Sequence, residues 1–356
     1  MIKRAIQHFT ACPKSPRIST AFCNWRRVSG KVQRALVLAI LAIGVSPLAS
    51  ALSLKPSTPP FSLGSDSAYF VKNVSYGPTS QHTLDIFVPK ASYKSKTKTP
   101  LAIFIHGGGF SSGSKEQVYS ARNTREMIID LLNKGVAFAS INYPLLGSNE
   151  KEGLIKSLNG IKRSVQFVKL NSGSFNIVPE KIILLGSSAG ASSALWLAFH
   201  DDMANLNSPD PVEQQSTRVH AAVASEVQSS MDMVRWEEVF AQYNFSVSSV
   251  ASAAQKFYGI SNLQELYSPR IVAYRQNVDL PLLMDASDPE IWVANQSVPV
   301  TKPTSIGILY HHPYHAKYLR DRALQVGLKG SFYIPRMNIM PSPQETMTQF
   351  ILRKVQ

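Results

Sequence analysis

Cysteine is nearly absent: the 356-residue chain has two, Cys12 and Cys23, both close to its start. Beyond them there is no thiol, which excludes a disulfide scaffold, a cysteine nucleophile and a thiolate metal site in the body of the chain. Acidic residues are missing from the first 51 positions, which carry Lys3, Arg4, Lys14, Arg17, Arg26, Arg27, Lys31 and Arg34. That head supplies eight of the net charge of +14, leaving +6 on everything that follows. No Lys/Arg block interleaved with aromatics occurs outside it, which argues against a nucleic-acid partner. A long apolar run is missing as well. Ala35 to Val45 is all apolar or Gly, but a membrane span needs roughly 20 such residues.

A basic region, a short apolar run and the small-residue site Leu48-Ala49-Ser50-Ala51 read together as a signal peptide over residues 1–51, cleaved after Ala51. The expected location is periplasmic or extracellular, with membrane attachment only if the head is retained. Residues 52–66, rich in Ser and Pro, read as a linker, and residues 67–356 as one domain.

Within that domain, strand-like and helix-like segments alternate. Tyr69 to Tyr76 and His82 to Val88 suggest an opening antiparallel pair. Strands are expected at Leu101–Ile105, Val136–Ile141, Lys181–Leu185, Ala221–Ala224, Leu280–Met284 and Ser331–Ile334. Helices are expected at Asn123–Asn133, Leu154–Leu170, Ala191–Phe199, Ala316–Val326 and Gln344–Lys354. Such alternation implies an α/β fold with a mostly parallel sheet covered on both faces. Residues 228–279 break the pattern with Met233, Trp236 and Phe240 at helical spacing, and read as a helical insertion above the sheet.

The chemistry concentrates in two glycine motifs. Gly186-Ser187-Ser188-Ala189-Gly190 lies between an apolar strand and a helix, where small neighbours let strand and helix pass closely while the Ser188 hydroxyl projects above the sheet. The helix behind it points its first amides at any anion formed there. A phosphate-binding turn is the other reading of such glycines, but the Lys of a P-loop is missing. Upstream, His106-Gly107-Gly108-Gly109-Phe110 follows Leu101–Ile105. Three successive glycines leave amides open to a tetrahedral oxyanion. Both motifs end parallel strands and so converge on one crevice.

With HGGGF, Ile141-Asn142-Tyr143 and LLGSSAG in this order, the sequence from Pro100 to about Asp201 resembles the α/β-hydrolase family. Within it, the likeness is to the esterase and lipase branch that carries the His-Gly-Gly-Gly motif, including feruloyl-esterase-like and hormone-sensitive-lipase-like members. The resemblance implies an α/β-hydrolase fold with Ser188 as nucleophile and the amides of Gly108, Gly109 and Ala189 as oxyanion hole. It implies that His106 orients the glycine loop. Pro144 departs from the family, which usually has Arg after Asn-Tyr.

The orienting acid is expected in the loop Asp285-Ala286-Ser287-Asp288-Pro289, at Asp288 before Asp285. The base is where the pattern breaks, because the loop Arg336–Met340 after the last strand has no histidine. His311, His312 and His315 remain as candidates. Pro313 favours an extended, cleft-facing His312, and His315 would sit in the first turn of a helix. His312 is therefore preferred over His315. The three also suggest a metal site, but no nearby Cys or acidic run joins them. Phe110, Tyr143 and Trp292 could line the cleft.

The sequence therefore points to an exported serine hydrolase that cleaves small-molecule or lipid carboxylic esters through an acyl-enzyme, without a cofactor. The alternative is a hydrolase fold that has lost its base and binds a ligand or partner. Asn73, Asn244 and Asn295 each begin an Asn-x-Ser triplet, which matters only in a eukaryotic secretory route.

Overall fold

The computed structural model describes residues 52, 54–64 and 68–355, so the basic head and its apolar run lie outside the described residues. Among the described residues eight strands form one sheet: β1 (Ala68–Ser75), β2 (Thr83–Pro89), β3 (Thr99–Ile105), β4 (Ala137–Ile141), β5 (Ile177–Ser187), β6 (Ala221–Ser225), β7 (Ile291–Ala294) and β8 (Gly330–Tyr333). Their spatial order is β1-β2-β4-β3-β5-β6-β7-β8. β2 pairs antiparallel with β1 and with β4, and every other pairing is parallel.

Parallel strands buried on both faces read as near-continuous apolar runs rather than alternating ones. All five residues of β4 and all four of β7 are buried. Leu101, Ile103 and Ile105 of β3 join one core, where Leu154, Leu158, Ile161, Val165 and Val168 of the helix Leu154–Leu170 meet them. Ala102 faces the other core, with Ile128, Leu131 and Leu132 of the helix Arg122–Asn133 and Phe350 and Ile351 of the helix Met347–Val355. The helix Ala189–Phe199 is buried along its whole length, which explains why it shows no apolar stripe in sequence. Of the residues read as a linker, Ser57 donates from its amide to the Phe70 carbonyl at 2.7 Å, and Phe61 packs on Phe87 and Tyr119.

One expected strand is a helix. Leu280–Leu283 forms a single helical turn with Pro281 in its first positions, where proline is preorganised for helix and its missing N–H costs nothing. The strand at that point of the topology is β7, formed by the later segment Ile291-Trp292-Val293-Ala294. Between β6 and β7 the described elements are otherwise short helices, from Trp236–Val239 to Pro269–Val278. Arg235 pairs with Asp279 at 2.7 Å and Arg275 with Asp232 at 3.0 Å, tying that insertion together. Among the described residues no helix is long and apolar enough to cross a membrane.

The tightest passage is where the helix Ala189–Phe199 leaves β5. A Cβ on Gly190 would stand 2.0 Å from the Ile105 carbonyl oxygen, and one on Gly186 2.1 Å from that of Gly190. Gly190→Ala is expected to cost about 3 kcal/mol through overpacking against backbone. Gly173→Ala, whose Cβ meets nothing within 4 Å, should stay within about 0.5 kcal/mol. Denaturant melts of both variants check this, and equal stabilities would contradict it.

Candidate active site

The C-terminal ends of β3, β5, β6 and β7 bring His106, Ser188, Glu226 and Asn295 to one edge of the sheet. Ser188 has φ 54° and ψ −120°, a conformation that costs a non-glycine residue of order 1–3 kcal/mol and persists only where its surroundings impose it. Its amide donates to the Ser225 carbonyl at 2.9 Å. The first turn of the following helix closes through Ser192 N to the Ser188 carbonyl at 3.1 Å.

The glycine loop lies against this turn. A Cβ on Gly107 would stand 2.9 Å from the Ser187 carbonyl oxygen and 3.3 Å from the Ser188 Cβ. Gly108 and Gly109 have φ 108° and 60°, and the Gly108 carbonyl accepts from the amides of Ser111 and Ser112 at 3.0 and 3.1 Å. Among the described residues, the amides of Gly108, Gly109 and Ala189 donate to no protein acceptor. His106 is occupied elsewhere: its ring stacks on Tyr143 at 4.3 Å and its Nδ1 donates to the Gly107 carbonyl at 2.7 Å. The Tyr143 hydroxyl in turn donates to the His106 carbonyl at 2.9 Å.

Of the three histidines after β7, the structure brings His311 to the serine. Its Nε2 stands 2.9 Å from Ser188 Oγ. The preference for His312 or His315 is therefore corrected. His312 is extended before Pro313, as expected, but its ring folds back to cap the helix Pro313–Val326: Nδ1 accepts from the Tyr314 amide at 3.2 Å and Nε2 donates to the Thr301 carbonyl at 3.0 Å. His315 is fully buried. Its Nδ1 accepts from Ser229 Oγ at 2.9 Å, its Nε2 donates to the Leu309 carbonyl at 3.0 Å, and burial pushes its pKa down to about 3. Among the described residues no group of three or more His, Cys, Asp or Glu side chains is arranged to hold a metal.

Asp285 and Asp288 do not reach the site. They precede β7 and so lie at the opposite edge of the sheet from Ser188. Asp288 accepts from the Asp285 amide at 2.8 Å, and Asp285 accepts from the amide and hydroxyl of Ser287. The Asp288 carboxyl is pushed up to about 6, chiefly by burial, which the hydrogen bond from the Asp285 amide opposes and the Asp285 charge reinforces. The acid expected here is displaced because Leu280–Leu283 is a helical turn at the entrance of β7, so the loop after it opens on the edge away from Ser188.

Two buried amides hold the histidine segment in place. Asn295, at the end of β7, accepts from the Val227 amide and donates to the carbonyls of Val227, His311 and His312 at 2.9 to 3.3 Å. Gln228 Nε2 donates to the Tyr310 carbonyl at 2.9 Å, and its Oε1 accepts from Ser192 Oγ at 3.0 Å. Neither was singled out in the sequence as part of a site. Asn295 showed only as the start of an Asn-x-Ser triplet, because the strand it follows, Ile291–Ala294, was not among the expected ones. Its complete burial also removes it as a glycan acceptor.

Beside Ser188 is a small cleft walled by Phe110, Met231, Trp236, Phe257 and Tyr310, with a free volume of about 20 Å³. Phe110 lines it as expected. Tyr143 is spent on His106, and Trp292 faces the other core, donating from Nε1 to the Glu345 carbonyl at 3.2 Å.

Burial lowers the pKa of His311 below its ordinary 6.5, opposed by Glu226 and the Gly307 backbone. A lowered pKa keeps the ring neutral, and able to accept the Ser188 proton, to more acidic pH. Fluorophosphonate labelling of Ser188 should therefore hold constant from alkaline pH down and reach half its rate below 6.5. A midpoint above 7 in rate-against-pH measurements would contradict this.

The BD-FAE family model matches residues 84–301, more than half of the chain. Kynurenine formamidase avaC of Aspergillus versicolor is 28% identical over 149 residues, covering 40% of this chain and 50% of that protein. Esterase P of Drosophila melanogaster is 27% identical over 124 residues, covering 35% and 22%. The chain thus spans half or less of the length of these curated relatives. Among solved structures, a truncated carbohydrate esterase from gut microbiota superimposes with a TM-score of 0.59 at 18% identity, covering 82% of this chain and 98% of that one. At that identity the likeness establishes the fold.

Proposed function

The chain belongs to the BD-FAE family, an α/β-hydrolase family of esterases, and from that premise we propose that it is a serine hydrolase of short-chain carboxylic esters. The observation that carries the reading is the 2.9 Å approach of His311 Nε2 to Ser188 Oγ on a strained turn, beside amides that have no protein partner among the described residues. Ser188 Oγ attacks the acyl carbon as its proton passes to His311, and the carbonyl oxygen takes up negative charge against the amides of Gly109 and Ala189, with Gly108 beside them. Collapse expels the alcohol, protonated by His311, and leaves an acyl group on Ser188. Water then attacks that ester with His311 again taking a proton, and the acid departs. These steps need no cofactor.

The walls of the cleft set the acyl group. The apolar side chains of Phe110, Met231, Trp236, Phe257 and Tyr310 leave only a narrow cleft beside Ser188, which suits a short acyl group such as acetyl and crowds longer chains. The acid-free basic head and its apolar run support export. A fold that has kept only binding has less support, because it was motivated by the histidine-free loop Arg336–Met340. His311 supplies an imidazole from a different loop.

Turnover of nitrophenyl esters tests the reading. Ser188→Ala and His311→Ala should each lower kcat by roughly 10³-fold or more, whereas His312→Ala should lower stability more than it lowers kcat. Acetate should be cleaved with a higher kcat/KM than hexanoate. Equal turnover in wild type and Ser188→Ala would overturn the proposal.

A further inference from the structure

A neutral His311 that accepts a proton at Nε2 carries its own hydrogen on Nδ1. As the imidazolium forms, a carboxylate facing that side stabilises it and fixes the ring. The two aspartates expected in that role lie at the wrong edge of the sheet, and Asn295, at the end of β7, is neutral and already fully hydrogen-bonded.

We infer that Glu226, at the end of β6, is the carboxylate that positions and electrostatically supports His311, an inference that rests on the serine-hydrolase reading above. β6 lies between β5, which carries Ser188, and β7, whose following loop carries His311. Glu226 has φ 53°, almost the value of Ser188 on the neighbouring strand, so two adjacent strand ends hold strained non-glycine residues at one edge. Its amide donates to the Ala294 carbonyl at 2.6 Å. The carboxylate is fixed by the amides of Gln296 and Ser297 at 3.0 and 3.2 Å and by the Ser297 hydroxyl.

The same stretch holds the histidine segment. Gln228 donates both to the Glu226 carbonyl at 3.3 Å and to that of Tyr310, and Asn295 links Val227 to His311 and His312. Residues 226–228 and 310–312 are thereby held side by side. Of the titratable groups around His311, His312 and His315 have lowered pKa values and Tyr310 a raised one, all by burial. These three are neutral near pH 7. Glu226, acting as a charge, and the Gly307 backbone, as a hydrogen-bond partner, both raise the His311 pKa against the effect of burial.

A loop staple and a charged positioning residue make opposite demands on substitution. Glu226→Gln keeps the length and acceptor oxygen that hold Gln296 and Ser297 but removes the charge. Glu226→Asp keeps the charge on a shorter stem. We expect kcat in the order wild type, Asp, Gln, with Gln reduced at least ~100-fold. The acidic limb of the pH profile should move to lower pH in Gln and remain near wild type in Asp, because removing the negative charge lowers the His311 pKa. The reverse order, or a Gln variant within a few-fold of wild type with an unmoved limb, overturns the inference. A folding defect would strike the shorter Asp harder, so it produces the reverse order and counts against it. Ser188→Ala and His311→Ala measured alongside separate the readings: if they abolish turnover while Gln does not, only the role of Glu226 fails.

Discussion

The site depends on how closely the helix Ala189–Phe199 passes the end of β3. Gly190 brings its backbone so near the Ile105 carbonyl that no side chain fits between them. That contact forces the chain to leave β5 through a sharp turn, and the turn puts Ser188 at φ 54°. From this one constraint follow the half-buried position of the hydroxyl at the sheet edge, the first amides of a buried helix beside it, and the proximity of the glycine loop at Gly107. The strain at Ser188 is offset by the packing of a helix buried along all eleven residues.

On the proposed reading the second requirement, a proton acceptor, falls to a different device. His311 lies in a short irregular stretch between the helix Ile306–Tyr310 and the helix Pro313–Val326, and nothing about its own backbone compels it toward Ser188. It is held there by carbonyls accepting from Asn295 and Gln228, two buried amides rooted at the ends of β7 and β6. The cluster of three histidines thus divides its labour: one ring faces the serine, one caps a helix, and one is locked in the core between Trp236 and Phe240.

How much of this was legible in the sequence varies with the range of the interactions involved. The sheet and its covering helices were readable because doubly buried strands are apolar throughout and because the helix Leu154–Leu170 repeats its buried positions at a period near 3.6. The two glycine motifs were readable because backbone approach leaves a local mark. Leu280–Met284 was misread because an apolar run of that length suits a strand or a helical turn equally, and only Pro281 and the pairing of β6 with Ile291–Ala294 decide between them. The base was misassigned because the three candidates share one sequence neighbourhood. What separates them is the contacts each ring makes, with Ser188 in one case and with Thr301, Ser229 and Leu309 in the others. Those partners are distant in sequence or carry no motif.

The central claim is that the Ser188 hydroxyl, the His311 imidazole and the amides of the glycine loop and helix start meet around one reacting carbon. A crystal structure of the protein treated with a short-chain alkyl phosphonate ester tests it directly. The account predicts phosphorus bonded to Ser188 Oγ, His311 beside it, and the phosphoryl oxygen about 2.7–3.1 Å from the amides of Gly109 and Ala189. A phosphonate on another residue, or a phosphoryl oxygen turned to solvent away from those amides, would contradict it.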